Sequence, residues 1–172
     1  MELKKLQGQR ASKMIEFYKS DKLSIFFSDT PHVCVRYILP THTPKEKESI
    51  KRFPFINKTE LTVDLFDHIK NKHYNFIIPK GYCYDGATIP RMFWRLIGSP
   101  TDNNFLIAAL IHDALCENHS HIDNDREFST EVFNALLEEA DVNMFKRYLM
   151  KHSVNLFQRF CGWEKEENEH WN

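Results

Sequence analysis

The first half of the chain alternates apolar and polar positions, and the second spaces them as helices do. Leu23-Ser24-Ile25-Phe26-Phe27 and His32-Val33-Cys34-Val35-Arg36-Tyr37-Ile38-Leu39 are rich in β-branched and aromatic residues. With Asp29-Thr30-Pro31 between them, they predict two strands joined as a hairpin. Leu61-Thr62-Val63-Asp64-Leu65-Phe66 predicts a third strand, and His73-Tyr74-Asn75-Phe76-Ile77-Ile78 a fourth that ends at Pro79-Lys80-Gly81. Upstream, residues 1 to 20 set Met14, Ile15, Phe17 and Tyr18 among charges, a spacing that predicts a short amphipathic helix. Pro40 to Ser49, with Pro44 and the run Lys45-Glu46-Lys47-Glu48, reads as a solvated loop.

After residue 80 the period changes. Phe105-Leu106-Ile107-Ala108-Ala109-Leu110-Ile111 is apolar enough for a helix buried on most sides, with Thr101 or Asp102 as its cap, and it delivers His112 and Asp113. A second helix follows Asp123-Asn124-Asp125, with Phe128, Val132, Phe133, Leu136 and Leu137 as its inner stripe. A third opens at Asp141 or Asn143, with Met144, Tyr148, Leu149, Leu156, Phe157 and Phe160 on its core face and Gly162 at its end. The expected fold class is α+β, a small mostly antiparallel sheet in the N-terminal half followed by a three-helix C-terminal half. We expect one domain over 1–172, made of a strand-rich half (1–80), a motif-bearing, mainly helical half (81–163) and a polar tail (164–172).

Composition narrows the classes. A chain of 172 residues that is 42% hydrophobic can bury a sizeable core within one domain. A formal net charge of -1 gives no reason to expect nucleic-acid binding, and no apolar run reaches the roughly 20 residues that would predict a transmembrane segment. Met1-Glu2-Leu3-Lys4-Lys5 has no secretory apolar stretch, and Cys34, Cys83, Cys116 and Cys161 are scattered without a CxxC. Reduced thiols and a cytoplasmic setting are expected.

The candidate chemistry lies in Asp85-Gly86-Ala87-Thr88-Ile89-Pro90 and Ile111-His112-Asp113-Ala114-Leu115-Cys116. On a helix His112 and Asp113 project about 100° apart, which suits a division of labour. The imidazole accepts a proton while the carboxylate holds a cation with oxygens from the glycine turn. The structural alternative is a buried His–Asp pair that caps backbone groups or meets Arg126. His112 and Cys116, with His119, His121, Asp123 and Asp125 following, match no common zinc signature and read instead as a polar interhelical loop. Asp123-Asn124-Asp125 lacks the glycine and glutamate of an EF-hand. Arg91, Arg95 and Arg126 are candidates for anion binding, or for stacking on Phe93 and Trp94.

From Gly81 to Trp163 the order Gly81, Asp85-Gly86, Thr88, Pro90, Phe93-Trp94, then Ile111-His112-Asp113, Leu115-Cys116, then Arg126 and Phe133 resembles the domain of unknown function 1353 family of bacterial and phage proteins. That family usually shows Ser at Thr88, Tyr at Cys116 and an Ala-Asp pair at Ser129-Thr130. The same order looks like a pared-down phospholipase A2 of the prokaryotic kind. That resemblance implies His112 as the base that activates water and calcium held by Asp113 and the Asp85–Thr88 loop, with Thr130 where an orienting carboxylate would stand. A dyad without that carboxylate loses roughly ten- to ten-thousand-fold in rate, so the resemblance implies weak or vestigial activity. Ala108-Ala109-Leu110-Ile111-His112-Asp113 is also similar to the HD phosphohydrolase helix, which needs a further histidine on an upstream helix.

Two functions follow. One is a hydrolase using catalytic His112 and Asp113 with a divalent cation such as Ca2+ on an ester. The other is a non-catalytic phage virion or host-interaction protein whose motif is a buried structural network and whose partners are other phage or host proteins. Both require Asp85, Thr88, His112, Asp113 and Arg126 to converge, because each lies beside apolar sequence and needs polar partners, with Gly86 as a further binding residue of the loop.

Overall fold

The computed structural model describes residues 14–86 and 103–161. Within them the α+β expectation holds. Strands β1 (Ile15–Lys19), β2 (Leu23–Phe27), β5 (Leu61–Asp67) and β6 (Lys72–Ile78) form an antiparallel sheet in the order β1-β2-β5-β6. Strands β3 (Val33–Val35), β4 (Phe55–Asn57) and β7 (Cys83–Tyr84) form a second antiparallel sheet in the order β3-β4-β7. In β5 the alternation is strict, with Leu61, Val63, Leu65 and Asp67 buried and Thr62, Asp64 and Phe66 facing outward. The register sets Leu61, Val63 and Leu65 opposite Ile78, Phe76 and Tyr74, so both strands turn one apolar face to the core.

Three expectations for the first half are corrected. Residues 15–19 form strand β1, not a helix, because five residues scarcely separate a period of 2 from one of 3.6 and β2 offers an open edge. Phe17 packs on Phe27 with ring centroids 4.8 Å apart. The 23–27 and 32–39 segments do not pair as a hairpin. β2 is taken on both sides by β1 and β5, and β3, shortened to residues 33–35, pairs with β4. The charged run after Pro40 is largely exposed, as expected, but Pro44–Arg52 is a helix, α1. Pro44 opens its first turn, and Thr43 with Glu46 closes a reciprocal capping box.

The helical layer contains α2 (Asn103–Glu117), the single turn α3 (His119–Ile122), α4 (Arg126–Glu139) and α5 (Met144–Cys161). The described residues thus hold five helical segments where three were expected, α1 and α3 being the additions. Asp125 caps α4 by accepting from the Phe128 amide at 2.8 Å, and the inner stripe of Phe128, Val132, Phe133, Leu136 and Leu137 is buried as its spacing predicts. In α5 the expected face is rotated. Met144, Tyr148 and Leu156 are exposed, while Met150, Val154 and Gln158, spaced i, i+4, i+8, turn inward. The side chains of Phe157 and Phe160, the expected caps Thr101 and Asp102, and the Arg91–Ile97 and Gly162–Asn172 stretches lie outside the described residues.

Sheet and helices meet at Tyr74 and Phe128, whose rings stack at 4.2 Å between centroids. Lys70 and Lys72 reach across to Asp125 and Asp123 at the start of α4. Because Phe128 is 4% exposed at this seam, Phe128→Ala should cost about 3–5 kcal/mol and lower the melting temperature by roughly 10 °C. A calorimetric melt checks this, and a loss under about 1 kcal/mol would mean that the seam does not hold the layers together.

Candidate functional site

Helix α2 carries the site because two of its faces are committed to different neighbours. Asp113 and Glu117, four residues apart, lie on the face toward β7 and the Asp85-Gly86 turn beyond it. His112 and Cys116, also four apart, lie on the face toward α4 and α5. The 100° step between adjacent helical residues produces this split.

On the first face, burial pushes the Asp113 carboxyl well above its ordinary range, and the neighbouring Asp85 and Glu117 carboxyls add to the shift. The Gly86 backbone amide lies against Asp113 and opposes it in part. Oδ2 of Asp113 is buried without a hydrogen-bond donor, a deficit that a proton held between the Asp113 and Asp85 carboxyls would meet. Tyr82 donates its hydroxyl to Glu117, and Tyr84 donates to the Leu106 carbonyl at 2.9 Å. Burial raises both phenols, and Tyr82 also faces the Glu117 and Asp113 charges. Asp85 itself is exposed, so the acid pair opens to solvent on that side. The turn that delivers Asp85 depends on glycine, since Gly86 has φ +85° and a Cβ there would stand 2.6 Å from the Phe55 ring.

On the second face, His112 is 8% exposed, with its ring 5.2 Å from that of Phe133 between centroids. The Gln158 side-chain amide donates to His112 Nε2 at 2.9 Å and to Cys116 Sγ at 2.9 Å. The Thr130 hydroxyl shares its one proton between the Arg126 carbonyl at 2.9 Å and, more weakly, Gln158 Oε1 at 3.4 Å. With Nε2 accepting, the ring carries its proton on Nδ1, which faces Asp113 Oδ1 at 3.4 Å and joins the two faces. That tautomer is assigned from the hydrogen-bond pattern.

Of the residues expected to converge, Asp85 and Asp113 meet directly, with the Gly86 amide against Asp113, and His112 reaches them through Asp113. The Arg126 guanidinium instead donates to the Asn155 carbonyl at 3.4 Å, so Arg126 joins by its backbone, through Thr130 and Gln158. Thr88, Arg91 and Arg95 lie outside the described residues. Among the described residues no group of three or more His, Cys, Asp and Glu side chains is gathered to hold a metal ion, and Gly86 turns its amide to Asp113. Upstream of α2 the described chain is mainly strand, without the helix-borne histidine of an HD phosphohydrolase among the described residues.

Gln158, Glu117 and Tyr82 escaped the sequence reading. Glu117 had a local signal, since it stands one helical turn after Asp113. Gln158 had none, because only the packing of α5 brings it to a residue 46 positions away.

Fold and site define an α+β protein with a buried acid–imidazole cluster at the junction of sheet and helices. Residues 60–154 match the family described as protein of unknown function (DUF1353), and the chain belongs to that family. The match takes in β5, β6 and β7 with α2, α3 and α4, and ends within α5 before Gln158. A relative, "Uncharacterized protein y4jT" of Sinorhizobium fredii (strain NBRC 101917 / NGR234), is 44% identical over 48 residues. The shared segment is 28% of this chain and 14% of that relative, so the chain spans only a small part of that relative's length. No solved structure matches, and the comparisons lend no support to the phospholipase-like order.

A carboxyl whose pKa is raised on folding takes up a proton, so its contribution favours the fold below about its ordinary value of 3.8 and is lost as the pH climbs through the raised value. Asp113→Asn mimics the protonated acid. It should therefore raise the melting temperature, relative to the parent protein, more at about pH 7 than at about pH 4. Paired melts at the two pH values check this, and an equal shift at both would show that Asp113 ionises normally in the folded chain.

Proposed function

We propose that the protein is a hydrolase of an ester or related acyl compound in which His112 moves the proton. The observation that supports this is the way the imidazole is held. Gln158, steadied by Thr130, fixes Nε2, while Nδ1 faces Asp113, whose carboxyl is seated against the Asp85-Gly86 turn. An imidazole oriented at both nitrogens is prepared for proton transfer, and an acid pair that costs stability to bury is the kind of arrangement found at functional sites. Thr130 stands where the phospholipase resemblance puts the orienting carboxylate, and it is Gln158, reaching in from the last helix, that bonds the ring. Because Nε2 accepts the Gln158 N–H, that bond must turn away before the ring takes up a proton there, a step that fits a slow enzyme.

A second reading rests on a different observation. His112 is 8% exposed and packed on Phe133, so the same bonds would serve as an interlock in a non-catalytic phage virion or host-interaction protein. Hydrolysis of p-nitrophenyl butyrate by the full chain separates the two. His112→Asn should lower the rate by roughly 10²–10⁴-fold while destabilising the fold by no more than about 1–3 kcal/mol. A parent protein with no hydrolysis above buffer, or a variant that melts earlier yet hydrolyses at the parent rate, would favour the interlock instead.

A further inference from the structure

Cys116 carries a nucleophile that the acid–base reading leaves idle. It stands one helical turn after His112 on the same face of α2, and its Sγ lies 3.4 Å from His112 Nε2. The Gln158 amide, 2.9 Å from Sγ, is a donor aimed at the sulfur. Behind the ring, Nδ1 faces Asp113 Oδ1 at 3.4 Å. Sγ also lies 3.8 Å from Nδ1, so the sulfur sits beside the ring, and thiol, imidazole and carboxyl are neighbours in the order nucleophile, base and orienting group, the set that activates a cysteine for covalent catalysis. Exposure assigns the roles. His112 is buried, whereas Cys116 is partly exposed, so an incoming substrate meets sulfur before it meets the imidazole.

We propose that Cys116 is the attacking atom of this site, forming an acyl-thioester with a carboxylic ester. This rests on the hydrolase reading and adds the nucleophile to it. The Cys116 S–H proton passes to His112 Nε2, and the Gln158 amide swings its hydrogen bond fully onto the thiolate. Sulfur adds to the ester carbonyl carbon, and the tetrahedral intermediate collapses as the C–O bond to the alcohol breaks. His112 returns its proton to the departing alkoxide. Water then adds to the thioester carbonyl with His112 taking its proton, the C–S bond breaks, and the carboxylic acid leaves as the thiol is restored. The sum is ester plus water giving acid plus alcohol, with no oxidant or reductant.

The probe is p-nitrophenyl acetate with the full chain, read by p-nitrophenolate release and by peptide mass after acid quench. The parent protein should show a burst approaching about one p-nitrophenolate per chain, with acetyl on Cys116. Cys116→Ser and Cys116→Ala should each lose that burst and at least about a hundredfold in turnover, with unchanged circular dichroism. His112→Asn should slow acetylation of Cys116 to a similar degree. Should both Cys116 variants keep parental turnover while His112→Asn loses it, water and not the thiol is the nucleophile. The proposal is then overturned and the acid–base reading stands. Acetyl spread equally over Cys116, exposed Cys34 and partly buried Cys83 would show unassisted thiol chemistry and overturn it as well. Absence of both turnover and Cys116 acetylation in the parent protein defeats the proposal together with the hydrolase reading.

Discussion

The constraint on which this structure turns is the placing of Asp113, a carboxyl that helix α2 drives against the Asp85-Gly86 turn at the end of β7. Water would solvate such a group at no cost, whereas here burial and two neighbouring carboxyls oppose its ionisation. The fold tolerates it because everything around it is over-determined. Tyr84 is anchored to the Leu106 carbonyl of α2, Tyr82 is tied to Glu117, and Gly86 allows a backbone approach to Phe55 that any side chain would block. The turn is therefore held against α2 by groups other than the acids themselves. Without those anchors the two carboxyls would be expected to separate.

The second face of α2 depends on the first. Once Asp113 is fixed toward β7, the helical step turns His112 toward α4 and α5, where Phe133 packs on its ring and Gln158 binds its edge. The hydrogen bonds then run as a chain from the Arg126 carbonyl through Thr130, Gln158 and His112 to Asp113. Arg126 begins α4, Gln158 lies near the end of α5, and Asp113 sits late in α2, so the chain joins the three long helices. Chains of this sort rigidify a site and also polarise it, which is why a structural and a catalytic use of the same bonds are both physically coherent.

Much of this was legible in the sequence where a local pattern decides the structure. The alternation of β5 and β6 and the inner stripe of α4 could be read directly, because burial on one face leaves a period that few other arrangements would leave. Five-residue β1 was misread for want of length, and α1 because its charged run hides a capping box that only Thr43, Pro44 and Glu46 together reveal. The rotated face of α5 could not be read, since aromatic and apolar residues occur all around it and only its partners choose which turn inward. At the site, the meeting of Asp85 and Asp113 followed from the cost of leaving them unpartnered, whereas the part of Gln158 did not, because no local rule links residue 158 to residue 112.

The carboxyl carbons of Asp85 and Asp113, followed by carbon-13 nuclear magnetic resonance across a pH titration, test the account most directly. A shared-proton pair titrates in two well-separated steps, with one carboxyl still protonated when ordinary aspartates are ionised, and Asp85→Asn brings the remaining step down toward the ordinary range. Two independent transitions near about pH 4, unaffected by the loss of either partner, would contradict it.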